Sequence, residues 1–233
     1  MPDMNVTVCI IDDKTHLVED IIQSLEEGGP SGAADSERGT PVMRYAHIRV
    51  GYNKDFAPER FATITAAAEA FLEKHNAGKH PGKTSSGSAF FSFLGEFPKD
   101  KGAYNELRDT AFEKIKSIIT DELGDDCVIL LDLNLFDRFE DSFLRRDLGH
   151  EILSMKIYHE FKERCILYTA YMEVEIGPNW ARAYQQRHNL RREERPRIYN
   201  REDIEYGPNR NTETIEQLLD AISRCVRSSK KDG

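Results

Sequence analysis

"CVILLDLNLF", residues 127–136, runs apolar from Cys127 to Leu131, breaks at Asp132 and resumes at Leu133 and Leu135. A strand with one face in water alternates apolar and polar residues. A nearly continuous apolar run needs cover on both faces, which is the condition of a strand inside a parallel sheet. Asp132 therefore marks the carboxyl end of a central strand, the edge at which open α/β sheets bind their ligands.

Working outward, "VCIIDD", residues 8–13, ends a second apolar strand with two adjacent carboxylates, Asp12 and Asp13. Behind it Leu17, Val18, Ile21, Ile22 and Leu25 recur on one helical face until Gly28-Gly29-Pro30 stops the pattern. Residues 29–41 are small and polar and read as a loop. "VMRYAHIRV", residues 42–50, reads as a strand, but Arg44, His47 and Arg49 interrupt it, which predicts a sheet edge. Two helical patterns follow, at 59–75 (Phe61, Ile64, Ala68, Phe71, Leu72) and 104–122 (Leu107, Ala111, Phe112, Ile115, Ile118), separated by a Gly/Ser/Lys-rich segment. After Asp132 come a helix at about 150–163, the strand "RCILYTAY", and a polar stretch with a helix around Trp180 to Leu190. The strand "PRIYN" and a helix from Thr212 to Val226 close the chain. Strands alternating with helices imply an α/β fold with right-handed crossovers, here with five strands.

The formal net charge of −9 and pI of about 5.4 argue against a globally basic nucleic-acid binder. No apolar run is long enough to span a membrane, and "MPDMNVTV" lacks a basic segment followed by an apolar one, so the expected location is the cytoplasm. Cys9, Cys127 and Cys165 lie in apolar strands and no C-x-x-C pair exists, which predicts reduced core thiols.

The polar residues that end the strands are Asp12 and Asp13, Asp132, Thr169, and Asn200 or Arg201. In a parallel sheet they share one edge. Three carboxylates so placed form a hard oxygen site suited to Mg²⁺, and the cation would offset the repulsion between Asp12 and Asp13. The competing reading is that Asp12 and Asp13 only cap the first helix.

The set "IIDD", "LLDLNL" and "YTA" on successive strand ends, with "GHEIL" at 149–153, resembles the receiver domain of two-component response regulators. The resemblance implies a single flavodoxin-like, doubly wound domain over residues 1–233, with strand order 2-1-3-4-5. It would carry insertions at 51–103 and an enlarged fourth-helix region at 171–196. It further implies that Asp132 accepts a phosphoryl group from a histidine kinase or phosphotransfer protein. Asp12, Asp13, Asp132 and the carbonyl of Asn134 would surround Mg²⁺, and Thr169 would bind the phosphoryl oxygen beside the small Ala170. The family's fifth-strand lysine is absent, and Arg201 is the substitute cation; Tyr199 is the nearest candidate for the switch aromatic. With no output domain expected after the last helix, the signal would pass to a protein partner, and a homodimer is compatible with the family. The rivals are a pseudo-receiver that binds partners without phosphorylation, and a Mg²⁺-dependent phosphatase or hydrolase with Asp132 as nucleophile. Asn134 stands where the latter needs a second acid.

Two motifs remain. "AGKHPGKT", residues 77–84, matches a relaxed phosphate-loop pattern, but Gly82-Lys83-Thr84 follows a helix rather than a strand, so a mobile loop is expected. The segment 182–197 carries Arg182, Arg187, Arg191, Arg192, Arg195 and Arg197. It reads as a solvated face or, with Arg201, as a docking surface for an acidic protein partner. Nucleic acid is disfavoured because few aromatic residues interleave the arginines. His75 and His80 are not expected to hold a metal.

Overall fold

The computed structural model of the protein describes residues 5–28, 42–52, 58–79, 89–133, 135, 152–170, 181–182, 184–186, 188–192 and 196–229. The apolar runs become strands: β1 (Asn5–Asp12), β2 (Val42–Tyr52), β3 (Phe90–Gly95), β4 (Cys127–Asp132), β5 (Cys165–Thr169) and β6 (Ile198–Asn200). The helical patterns become α1 (Thr15–Gly28), α2 (Pro58–Asn76), α3 (Lys101–Ser117), α4 (Leu153–Glu160) and α6 (Thr212–Ser229), and a short unexpected helix, α5 (Arg201–Ile204), follows β6. Asp100 starts α3 by accepting the Ala103 N–H at 2.9 Å. A π-helical turn, Ile118–Leu123, extends α3 until Gly124, at φ 80°, ends it before β4.

All six strands are parallel, in the order β3-β2-β1-β4-β5-β6. The expected five strands in the order 2-1-3-4-5 are corrected by one strand. β3 lies inside the segment 51–103 and pairs with β2 from His47↔Phe90 to Tyr52↔Gly95. Its run "FFSFLG" is short and stands in Gly/Ser/Lys-rich surroundings, which hide its strand pattern. β3 also removes β2 from the sheet edge, so that expectation is corrected too. His47 and Arg49 are buried side chains of an interior strand rather than polar guards of an edge.

Strand alternation divides the core in two. Val6, Val8 and Ile10 of β1 face a layer with Val18, Ile21 and Ile22 of α1, Leu72 of α2 and Ile215 and Leu218 of α6. Cys9 and Ile11 face the other layer, with Phe112 and Ile115 of α3 and Leu153 and Ile157 of α4. β4 is buried at every position, as its composition requires. Cys9, Cys127 and Cys165 are free and buried, and Cys225 is free and partly buried. Chain order reverses between the neighbours β1 and β4: one leads through α1 outward to β2, the other through α4 outward to β5. The crevice at their carboxyl ends is the place this topology offers a ligand. No helix among the described residues is long and apolar enough to cross a membrane.

Leu131 is fully buried next to Asp132 in the middle of the sheet. Leu131→Ala is expected to cost about 2–5 kcal/mol of folding stability through the cavity it leaves, measured by urea denaturation.

Candidate metal centre

Register brings the polar strand ends into one row. Arg49 of β2 pairs with Asp12 of β1, while Asp12 and Asp132 each stand one residue beyond the paired Ile11 and Leu131. Asp132 pairs with Tyr168 of β5, and Tyr168 with Tyr199 of β6. Side chains in register on parallel strands share a face, here the face covered by α1 and α6, whose layer includes Tyr168 and Tyr199. Asp13, just past β1, completes the group: one carboxylate oxygen from each of Asp12, Asp13 and Asp132 lies within 4.8 Å of the others.

Asp12 is fully buried and held from two sides. The Lys14 N–H donates to its Oδ1 at 2.8 Å, and the Tyr168 hydroxyl donates to its Oδ2 at 2.6 Å. Burial raises its pKa well above the ordinary carboxylate value, and the charges of Asp132 and Asp13 raise it further. The two donors pull the other way without reversing the shift. Burial, followed by Asp12 and Asp132, likewise keeps the Tyr168 phenol protonated, so it is a fixed donor. Asp132, 3% exposed, is anchored through its backbone: its carbonyl accepts the Ser154 hydroxyl of α4 at 2.9 Å. Asp13 is partly buried and leans over β2, where a Cβ on Gly51 would come within 4.0 Å of its own Cβ.

Two groups beside the acids escape sequence reading. Arg49, 2% exposed, lies in the same row, with its guanidinium 5.6 Å from the Phe61 ring centroid on α2. Burial lowers its pKa, Asp13 opposes that shift and Arg60 adds to it. His47, two residues earlier on the same face, bonds through Nε2 to the Asp12 carbonyl at 3.3 Å. Burial pushes its pKa down to about 3, with Arg49 contributing and the bond to Asp12 resisting, so the ring is neutral and donates through Nε2–H. In the sequence both stand as interruptions of an apolar strand, the pattern of a sheet edge. The available signal is their spacing: His47 and Arg49 stand two apart in an otherwise apolar strand, which puts both on one face.

The other expected residues divide. Thr169 is buried at the end of β5, opposite Asn200 in register, and alternation assigns it to the face opposite Tyr168. Arg201 opens α5 at the same edge, with Nε 2.7 Å from Glu205 Oε1, and its charge reaches Tyr168 as the smallest influence on that phenol. Tyr199 is buried, and its hydroxyl donates to the Gln217 carbonyl at 3.2 Å. Asn134, residues 149–151, His80 and Gly82-Lys83-Thr84 lie outside the described residues, as do Trp180, Arg187 and Arg195. His75 meets an acid from another element: its Nδ1 is 2.6 Å from Glu26 Oε2 of α1, which also bonds Lys79 at 2.8 Å. Arg182, Arg191, Arg192 and Arg197 are exposed, and Arg197 is bonded to Gln217 of α6.

The donor set suits a hard cation. Three carboxylates, two of them out of water, lie together beside the strand that carries Arg49, and their mutual repulsion favours uptake of protons or a cation. The turn Asp12-Asp13-Lys14-Thr15 has no glycine and carries two carboxylates, which disfavours the pyrophosphate of a dinucleotide at this switch point. No protein-family model matches the chain, and neither a curated protein nor a solved structure shows significant similarity to it.

The Arg49 charge is attracted by Asp13, and removing it takes that attraction out of the cluster. Arg49→Met is expected to lower stability in chelator by about 1–3 kcal/mol, as when the interactions of a buried charged group are lost, read by urea denaturation. For His47, unfolding restores the ordinary value near 6.5, against about 3 in the fold. The unfolded chain therefore binds more protons between these values, and this contribution to stability is lost as pH falls through that window. His47→Gln, which keeps a donor for the Asp12 carbonyl, is expected to lose less stability than wild type between pH 6.5 and 4.

Proposed function

We propose that this crevice is a Mg²⁺-dependent phosphoacceptor site and that the chain acts as a receiver-like signalling protein of flavodoxin type with an added edge strand. The observation that carries the reading is the convergence of Asp12, Asp13 and Asp132 within 4.8 Å at the β1/β4 switch point, with Asp12 and Asp132 buried. Asp13 and Asp132 hold the cation directly, and Asp12, whose oxygens already accept from Lys14 and Tyr168, acts mainly through water. Bound Mg²⁺ supplies charge neutralisation for an incoming phosphoryl group.

Asp132 is the nucleophile. Its carboxylate attacks the phosphorus of a phosphohistidine on a histidine kinase or phosphotransfer protein. The P–N bond breaks, the imidazole keeps the bonding pair and regains a proton, and an acyl phosphate forms on Asp132. Arg201 is the cation assigned to the phosphoryl oxygens, exchanging Glu205 for the new anion, and Thr169, whose side chain alternation puts on the other face of β5, is the hydroxyl that would have to reach them across the strand's carboxyl end. The N-terminus of α1, which begins at Thr15 beside the acids, favours the negative charge that arrives. The exposed Arg182, Arg191 and Arg192 suit an acidic downstream protein.

The ion pair between Arg201 and Glu205 favours one second reading, a pseudo-receiver that binds partners without phosphorylation. Titration calorimetry with Mg²⁺ and then beryllofluoride separates the two. The phosphoacceptor is expected to bind Mg²⁺, more weakly in Asp13→Asn than in Asp12→Asn, and to bind beryllofluoride only with Mg²⁺ present and Asp132 intact. Arg201→Ala is expected to weaken the analogue by roughly ten- to a hundredfold with Mg²⁺ affinity kept. Wild-type protein that binds Mg²⁺ but no beryllofluoride would establish the pseudo-receiver.

A further inference from the structure

We propose that the Thr15 hydroxyl is an additional oxygen donor to the divalent cation held by Asp12, Asp13 and Asp132. The inference rests on the cation-dependent reading of that crevice. Thr15 is the first residue of α1, two residues after Asp13. It stands one turn before Val18 and two turns before Ile22, both in the layer that α1 packs against the sheet, so it lies on the sheet-facing side of the helix. Asp12 and Asp132 share that face of the sheet, at the end where α1 begins.

Thr15 is 8% exposed, and its Oγ1 is shielded from water without a hydrogen-bond partner. Three helical threonines satisfy their hydroxyls on the carbonyl one turn back: Thr63 on Glu59 at 3.0 Å, Thr110 on Glu106 at 2.8 Å and Thr120 on Lys116 at 2.9 Å. For Thr15 the residue one turn back is Ile11, which belongs to β1, so that outlet does not exist. Ser24 and Thr65 also have buried hydroxyls without a partner, but Ser24 lies at the opposite end of α1 and Thr65 within α2, and neither adjoins in sequence a member of the cluster of metal-binding groups found among the described residues. A neutral hydroxyl suits the acids in particular: Mg²⁺ seeks six oxygens, and this one adds no charge to a crowded anionic set.

The test compares Thr15→Val, which keeps the shape and removes the oxygen, with Thr15→Ser, which keeps the oxygen. Mg²⁺ affinity is read by calorimetry, and the melting temperature is read in EDTA. Thr15→Val is expected to bind Mg²⁺ about tenfold more weakly, or about 1.4 kcal/mol. In EDTA it should melt at or above wild type, because a buried group without a partner has been removed. Thr15→Ser is expected to keep wild-type affinity. A Thr15→Val protein with wild-type affinity overturns the inference and leaves the cation site standing, whereas a wild type that binds no Mg²⁺ overturns both. A Thr15→Val protein that loses affinity only in step with a lower melting temperature in EDTA also overturns it. If Thr15→Val fails to fold, equal affinity in Thr15→Ser and Thr15→Ala does the same.

Discussion

Two carboxylates out of water, on neighbouring strands and on one face, repel strongly, and the structure around Asp12 and Asp132 is arranged in answer to that repulsion. Arg49 brings a guanidinium into the same row from β2. Tyr168 brings a phenol from β5 that its surroundings keep protonated. Lys14 contributes a backbone N–H, and His47 holds the Asp12 carbonyl from below without adding charge. Donors thus reach Asp12 from three elements, and the remaining negative charge is left facing the crevice.

That arrangement explains why β2 is polar where β4 is not. An interior parallel strand ordinarily carries apolar residues on both faces, and Ala46, Ile48 and Val50 follow that rule on the α3 side. His47 and Arg49 depart from it on the α1 side, alongside Ile10 and Asp12 of β1. β3 is what makes this possible: Phe90 covers the His47 ring edge-on at 5.3 Å, and Phe61 of α2 lies against Arg49.

What the chain discloses before folding is uneven, for physical reasons. The apolar runs ending in Asp12 and Asp132 show the parallel sheet and the three acids, because burial on both faces writes itself into local composition. β3 is hidden because six residues in a Gly/Ser/Lys-rich segment carry too little pattern to stand out. The roles of Arg49 and His47 depend on which strand flanks β2, a property of topology rather than of the residues themselves. Tyr168 reads as one more apolar strand residue until register sets it beside Asp132 and its hydroxyl against Asp12.

The Tyr168–Asp12 bond passes over β4 and joins positions 156 residues apart in the chain. Contacts of such separation are costly in loop-closure entropy and tend to be late gains in folding. β1 can pair with β2 as soon as α1 is made, but Asp12 acquires its phenol only after β5 has docked on β4. A growing chain released only as far as β4 holds the acids without this donor. The docking of β5 and the completion of the bonds around Asp12 are therefore the same late event in the birth of the molecule.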